Sequence, residues 1–277
     1  MKKILVPVDF SEQSEYALQV AATLAKKQNA AIVVMHMMGL SEAVLTKDES
    51  KEVFEAMFYL KLAEKRFKEF LDKDYLQGIE LQTTVQNYKE FHEINAVAKE
   101  FEADLIVMGS QGSSGLKEAF VGSNTEKVVR TSEIPVLVIK NQLDDFKIEK
   151  VVFACDFTKD YIAPFQQAWK FFETLGVQPQ LLFINLPSKF VSTSEMEIRA
   201  FQFLQQAELY SEAVYDSIVY YNDFTIEDGI FSFSDKYDAD VIAVPTHGRR
   251  GLAHFFSENI GEALVNHSIT PMMTFKI

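Results

Sequence analysis

Cysteine is almost absent from this sequence: Cys155 is the single cysteine among 277 residues. One cysteine excludes an intrachain disulfide framework. Because Cys155 stands among apolar neighbours at the end of a predicted strand, we expect a buried structural thiol rather than a nucleophile.

Long apolar runs are also missing. No stretch approaches the roughly 20 apolar residues that span a membrane. The first residues include two lysines, but their apolar run ends early at Pro7 and Asp9. This beginning predicts a first strand and not a signal peptide, so we expect a cytoplasmic protein.

Positive charge is scarce relative to negative charge. The chain has 27 Lys and Arg against 40 Asp and Glu, which gives a formal net charge of −13. This balance argues against a nucleic-acid partner and against an anionic membrane surface. A bound polyanion would therefore have to be held by backbone N–H groups and a few local cations.

The chain contains an internal repeat that is half its length. Lys3–Ser11 matches Lys150–Thr158, and Ala103–Met108 matches Ala239–Val244. A repeat of this length predicts two tandem domains. Their predicted bounds are 1–142 and 148–277, with a polar linker at 143–147.

Each half alternates apolar runs with amphipathic stretches, which predicts parallel strands joined by right-handed helical crossovers. Ala17, Val20, Ala21 and Leu24 have helical spacing, and Ser11 is the predicted N-cap of that helix. Predicted strands lie at 3–8, 30–37, 79–85, 105–108 and 136–140, and near 180–185, 217–221, 240–244 and 271–276.

A glycine-rich stretch, Gly109–Thr125, lies between a predicted strand and a predicted helix at 125–131. Glycine lets the backbone approach an anion closely, and a helix N-terminus offers unpaired N–H groups. Ser123 and Thr125 add hydroxyl donors. The stretch predicts a phosphate-binding loop, but not a Walker A loop, because no Gly-Lys-Ser/Thr closes it.

The spacing Gly109-x2-Gly112-x9-Gly122-Ser123 resembles the nucleotide loop of the universal stress protein family, whose ATP-binding members carry Gly-x2-Gly-x9-Gly-Ser/Thr. The segments Ile4–Ser11 and Ala103–Gly109 are also similar to that family. The resemblance implies an α/β fold with two tandem doubly wound, parallel five-stranded sheets of strand order 3-2-1-4-5. This fold is Rossmann-like, or adenine nucleotide alpha hydrolase-like, and binds ligands beyond the ends of strands one and four.

The resemblance also implies a site in the first half for ATP, alone or with Mg²⁺. The implied residues are Pro7, Val8 and Asp9 around the adenosine, Met37 beside the base, and Met108, Gly109, Gly112, Gly122, Ser123, Asn124 and Thr125 around the ribose and phosphates. Taken alone, Asp9 is equally well explained as a cap or turn residue, and the two methionines as core residues. The family's basic loop segment is Ser113–Gly115 here, which leaves Lys117 and Lys127 as the nearest cations and predicts weaker binding.

The second half departs from the family's loop in a different way. Gly248–Leu252 resembles the basic segment, but Pro245 replaces the first glycine and Glu258-Asn259 replaces Gly122-Ser123. Proline lacks an N–H donor, and a carboxylate repels phosphate. We therefore expect no ATP binding of the family type in this half; a pocket for a less anionic ligand is the alternative.

A metal site is a weaker hypothesis. His247 and His254 could approach Cys155, but no His-x3-His or Cys-x2-Cys pair supports a site. We therefore expect that these histidines do not bind a metal.

Three functions follow from these observations: an ATP-binding stress sensor or regulator, a slow ATPase, and a nucleotide-free scaffold or binder of another ligand. Because Asp9 is the one obvious acid near the loop, the sequence offers little for catalysis. It therefore favours the sensor over an enzyme. Family domains pair through their last strands. We expect Val136–Lys140 and Met272–Ile277 to pair within the chain as a pseudo-dimer, and a homodimer is left open.

Overall fold

The computed structural model describes residues 1–38, 49–87, 92–110, 123–246 and 270–276. The chain divides into two compact units, Met1–Asp145 and Phe146–Ile277. The division falls within the polar stretch 143–147.

The first unit alternates strands and helices along the chain. Its elements are β1 (Lys3–Val8), α1 (Glu12–Gln28), β2 (Ala31–Met38), α2 (Glu49–Phe70), β3 (Leu81–Asn87), α3 (His92–Glu100), β4 (Leu105–Gly109), α4 (Ser123–Thr131) and β5 (Val136–Ile139). The strands pair in parallel in the order β3-β2-β1-β4-β5. The predicted α/β class and the 3-2-1-4-5 order are confirmed for this unit. Individual bounds differ by one or two residues; β3, for example, begins at Leu81 rather than at residue 79.

Helix α1 begins where the sequence predicts it. The Ser11 hydroxyl accepts a 3.3 Å hydrogen bond from the Ser14 N–H, which confirms Ser11 as the N-cap. Glu12 and Glu15 in the first turn complement the positive end of the helix dipole. The helix ends at Gln28, and the next residue, Asn29, closes it with a left-handed backbone conformation.

The centre of the first sheet is buried on both faces. Every residue of β4 and β5 is buried, as expected for parallel strands covered by helices. Small buried residues of α1, such as Ala17 and Ala21, let the helix lie close to the sheet. This close approach brings the start of α1 next to the end of β4.

The second unit repeats this alternation. Its elements are β6 (Val151–Ala154), α5 (Ile162–Thr174), β7 (Gln180–Asn185), α6 (Thr193–Gln206), α7 (Glu212–Asp216), β8 (Val219–Asn222), α8 (Ile226–Tyr237), β9 (Val241–Thr246) and β10 (Met272–Lys276). The strands pair in parallel in the order β8-β7-β6-β9-β10. The short helix α7, capped by the Ser211 hydroxyl, was not expected from the sequence.

The sequence repeat has a counterpart in the hydrogen bonds of the two units. In the first unit, a carboxylate oxygen of Asp104 accepts from the Lys3 N–H at 3.1 Å, and the Asp104 N–H donates to the Lys3 carbonyl at 2.9 Å. Asp240 makes the same pair of bonds with Lys150, each at 2.8 Å. In both units, therefore, the residue before strand four is tied to the beginning of strand one.

Within the described ranges, no helix is both long enough and apolar enough to cross a bilayer.

Candidate functional site

The neighbouring strands β1 and β4 bring two predicted site segments to one edge of the first sheet. The strands are parallel, with Ile4 beside Leu105 and Leu5 beside Ile106. Their carboxyl ends therefore lie at the same edge, with Asp9 directly after β1 and Gly109 as the last residue of β4. The chain leaves β1 towards β2 on one side, while β4 lies on the other, which is the switch point where doubly wound sheets bind ligands.

Asp9 begins a tight turn into α1. One of its carboxylate oxygens accepts hydrogen bonds from the Ser11 N–H at 3.0 Å and from the Ser11 hydroxyl at 2.5 Å. The intervening residue, Phe10, has a left-handed backbone conformation with φ of 63°. Asp9 thus acts as a turn residue, and a carboxylate in general offers about four lone-pair sites for hydrogen bonds.

An aromatic cluster holds this turn in place. The Phe10 ring lies 4.5 Å from that of His36, 5.3 Å from that of Phe67 and 5.5 Å from that of Phe70. His36 is buried, and its Nδ1 lies 2.9 Å from the Val8 carbonyl oxygen. Because a carbonyl oxygen can only accept, Nδ1 donates this bond.

Sequence reasoning missed the cluster. Phe10 and His36 were given no role there, although the recurrence of Asp9-Phe10-Ser11 as Asp156-Phe157-Thr158 marked the turn. The repeated phenylalanine of that turn was the feature of the sequence that could have indicated an aromatic cluster. Its partners on β2 and α2 could be identified only after the strand order was known.

Gly109 is required by the close approach of α1 to the sheet. A Cβ atom at this position would lie 2.8 Å from the Gln13 carbonyl oxygen. Contacts under about 3 Å between such atoms force the backbone to move. The first glycine of the loop motif therefore has a packing reason that is independent of any ligand.

Thr125 connects helix α4 to the end of β4. Its side chain is buried, and its hydroxyl donates a 2.8 Å hydrogen bond to the Gly109 carbonyl oxygen. Ser110, the residue after Gly109, is held by a 2.8 Å hydrogen bond from its N–H to the Ile139 carbonyl oxygen. The first turn of α4 is thereby fixed at the edge where β1 and β4 end.

The remaining predicted site residues of the first unit divide into two groups. Pro7 and Met37 are half-buried, at or next to the ends of β1 and β2, whereas Val8 and Met108 are buried. The second group lies wholly or partly outside the described residues: Gly112, Ser113–Gly115, Lys117 and Gly122 lie outside them, and Ser123 and Asn124 are described only as backbone at the start of α4. Lys127 is exposed on α4. The ligand role of every residue in these groups stays a prediction.

The second unit repeats the turn after its first strand. Asp156 accepts from the Thr158 N–H at 3.0 Å and from the Thr158 hydroxyl at 2.8 Å, and Phe157 has φ of 56°. Cys155 is buried, as expected, and burial raises the pKa of its thiol far above the ordinary value. Pro245 lies within β9.

The rest of the second-unit hypothesis lies outside the described residues, namely His247, Gly248–Leu252, His254 and Glu258-Asn259. In the ranges that are described, no group of three or more His, Cys, Asp or Glu is arranged to hold a metal ion.

Comparison with known proteins agrees with this geometry. Residues 1–140 match the model of the Universal stress protein family. The chain belongs to the universal stress protein family. It is 34% identical over 146 residues to Universal stress protein YxiE of Bacillus subtilis, a match that covers 50% of this chain and 98% of that protein. It is 32% identical over 155 residues to Universal stress protein MJ0577 of Methanocaldococcus jannaschii, a match that covers 51% of this chain and 96% of that protein.

A solved structure extends the likeness to the whole chain of this universal stress protein. The structure of a universal stress protein from Archaeoglobus fulgidus covers 99% of this chain and 96% of its own, with a TM-score of 0.62 and 19% identity. At that identity the likeness concerns the fold alone. Family sequence identity above 30% is thus found over about half of the chain, and similarity of fold over nearly all of it.

Proposed function

We propose that the first unit of this universal stress protein binds ATP at the carboxyl edge of β1 and β4, and that nucleotide occupancy makes the protein a stress sensor or regulator. One observation carries the proposal. Asp9 directly follows β1, Gly109 ends the adjacent parallel strand β4, and the first turn of α4 is tied to Gly109 at the same edge. A carboxylate, a glycine and a helix N-terminus are the groups that a nucleotide needs.

The adenosine would lie on the β1 and β2 side of this edge. The carboxylate of Asp9 can accept hydrogen bonds from ribose hydroxyls in addition to those from Ser11. Pro7 and Met37, both half-buried, offer apolar surface to the base. The Phe10 cluster supports this arrangement because it fixes the backbone that follows Asp9.

The phosphates would lie on the α4 side. The start of α4 presents N–H groups and the positive end of a helix dipole, which favour anions. The glycines of the motif, Gly112 and Gly122, would let the loop backbone approach the phosphates. The exposed Lys127 lies on α4 and would add one cation.

Mg²⁺ would accompany the phosphates in this proposal. Magnesium commonly binds through substrate phosphates with one or two carboxylates rather than in a protein cage.

The first experiment is to measure the nucleotide content of the purified protein. Denaturation followed by chromatography and mass spectrometry should release about one adenine nucleotide per chain, because one of the two halves carries the whole motif. The variant Gly122→Glu, which introduces the residue found at Glu258, should contain none and should not bind ATP in a titration. Content near two would refute the proposal that the second half is degenerate. A wild-type protein that neither carries nor binds ATP at millimolar concentration would refute the site.

The sensor and the slow ATPase differ in turnover. ATP incubated with the protein, with and without Mg²⁺, should be hydrolysed no faster than in buffer alone. Sustained turnover that is lost in Asp9→Ala would replace the sensor with an ATPase.

Association through the last strands remains part of the proposal. Strands β5 and β10 are the final strands of the two units, and paired edges avoid exposed backbone groups. Sedimentation of the full chain across a range of concentrations would test whether a homodimer forms in addition.

A further inference from the structure

A cavity of about 290 Å³ opens in the second unit between helix α6 and the turn that follows β6. Its floor is formed by the buried rings of Phe157 and Phe203 and by the half-buried Ile162. The other lining residues are Thr158, Lys159, Arg199, Gln202 and Gln206. The cavity lies apart from the proposed nucleotide site, all of whose residues belong to the first unit.

At the corresponding place in the first unit, a phenylalanine at the end of the helix packs on the turn. Phe10 lies 5.5 Å from Phe70, the last residue of α2. In the second unit Phe157 is the counterpart of Phe10, and the exposed Gln206 stands at the end of α6 where α2 has Phe70. We attribute the opening to this replacement of a large ring.

The rest of the aromatic packing is retained around the opening. Phe157 lies 5.4 Å from Phe203, as Phe10 lies 5.3 Å from Phe67. Phe157 also stacks on Phe183 at 5.9 Å, which fixes its ring. The cavity is therefore lined by two packed aromatic rings, which favour a flat apolar group.

The charged side chains in and near the cavity determine which ligand charge it can hold. Lys159 and Arg199 line the cavity, and no carboxylate is among its lining residues. Arg199 is paired with Glu195 on the same helix, and Asp156 and Asp160 flank Lys159 in the sequence. These three carboxylates outnumber the two cations, so a negative charge on a ligand is favoured only where it touches Lys159 or Arg199 directly, and a dianion such as a phosphate monoester would be repelled.

We propose that this cavity binds a small organic acid with one carboxylate and a flat apolar body, of the arylalkanoic acid class. The ring lies on Phe157 and Phe203, and the carboxylate meets Lys159 and Arg199. The volume of about 290 Å³ lies just below the roughly 300–1,000 Å³ range of ligand pockets, so the cavity admits one ring and a short chain. This binding is independent of the nucleotide site of the first unit.

The test uses 3-phenylpropionate as the probe and the full chain as the protein. Titration followed by amide NMR spectra should give saturable shifts in the second unit, with a Kd of about 1 mM or tighter for a ligand of this size. The neutral isostere 3-phenylpropan-1-ol should bind several-fold more weakly. Absence of saturable shifts, or equal affinity for the acid and the alcohol, would overturn the proposal.

Two variants separate the cavity from non-specific binding. Gln206→Phe copies Phe70 and should fill the space and abolish binding, whereas Gln205→Phe adds the same ring at an exposed neighbouring position outside the cavity and should bind like wild type. Equal binding by both variants, or equal loss in both, would contradict the assignment.

A third variant tests the charge. Arg199→Gln should lower affinity for 3-phenylpropionate up to about tenfold, a free-energy change of about 1.4 kcal/mol, and leave affinity for the alcohol unchanged. This variant removes an exposed ion pair rather than a core residue, so it also serves if Gln206→Phe fails to fold. A parallel loss for both probes would mean that Arg199 does not contact the carboxylate.

Discussion

The hydroxyl of Thr125 donates a 2.8 Å hydrogen bond to the carbonyl oxygen of Gly109, and both residues are buried. The bond joins the first turn of α4 to the last residue of β4 across the loop that carries the family motif. The family resemblance implied that Thr125 lies around the ribose and phosphates of a nucleotide. In the structure its hydroxyl fixes the helix whose N-terminus is proposed to face the phosphates.

Replacement of Thr125 by valine should therefore destabilise the first unit and weaken its nucleotide binding. The change keeps the shape of the side chain but leaves the buried Gly109 carbonyl without this donor, which costs about 1–3 kcal/mol. Urea unfolding would measure the loss. The control is Thr23→Val in helix α1, where an exposed hydroxyl donates to the Gln19 carbonyl at 3.1 Å and where we expect a change within about 0.5 kcal/mol. Similar losses in both variants would argue against a special role for the buried bond.

Lys140 gives a prediction for the dependence of stability on pH. This residue follows β5, and burial lowers the pKa of its ammonium group to about 8. The unfolded value is about 10.4. Between these two values the unfolded chain binds more protons than the folded chain, so this group makes stability rise with pH.

The variant Lys140→Met should be more stable than wild type at pH 7, and the difference should shrink as the pH rises from 8 to 9.5. Groups such as Cys155 and Tyr75, whose pKa burial raises, lower the stability of both proteins at high pH and cancel in the difference. Lys147 is a suitable control, because its hydrogen bond with Glu149 raises its pKa and its effect lies above this window. Denaturant titrations at several pH values would measure the free energy of unfolding of Lys140→Met and of the control Lys147→Met. A constant difference for Lys140→Met would contradict the lowered pKa.

The elements that the sequence predicted well are those set by local patterns. The N-cap at Ser11 depends on a hydroxyl three residues from its partner, and β4 was recognisable as a short apolar run before glycine. The strand order came from the family motif rather than from periodicity. Among the strands, the first residue differed most at β3 and β8, by two residues each, because alternation with polar residues makes the first paired residue hard to identify.

The contacts that could not be predicted join residues far apart in the sequence. The packing of Phe10 on His36 and Phe67 depends on the pairing of β1 with β2 and on the position of α2. Likewise, nothing in the sequence around Gln206, the last residue of α6, points to a cavity. The cavity is explained only when Gln206 is compared with Phe70 at the end of α2. Side-chain partners of this kind follow from tertiary packing, which a single-sequence pattern does not contain.

Gly109 permits a test of packing against ligand binding. Gly109→Ala should destabilise the first unit by about 1–3 kcal/mol, because the added Cβ atom would lie 2.8 Å from the Gln13 carbonyl oxygen. Gly78→Asn is the control, since Gly78 has φ of 81° and no atom within 4 Å of an added Cβ, and asparagine tolerates that conformation. Unfolding in urea without nucleotide isolates the packing effect. Equal stability of Gly109→Ala and wild type would leave ligand approach as the reason for this glycine.

The two copies of the aspartate turn provide a matched pair for the nucleotide site. Asp9→Ala and Asp156→Ala each remove a carboxylate that accepts two hydrogen bonds from the residue two positions later. Asp9 is half-buried and Asp156 is exposed, so Asp9→Ala should cost more stability than Asp156→Ala. ATP affinity should differ, because the proposal assigns a nucleotide to Asp9 alone.

Loss of a hydrogen bond to a charged group costs about 1.5–3 kcal/mol, so Asp9→Ala should weaken ATP binding by about tenfold to a hundredfold. Adenosine affinity should fall in parallel, since Asp9 is assigned to the ribose rather than to the phosphates. Asp156→Ala should bind both ligands like wild type in calorimetric titrations. If the two variants bind ATP equally well, Asp9 serves the turn alone; if both lose affinity, the second unit takes part in binding and the site must be reassigned.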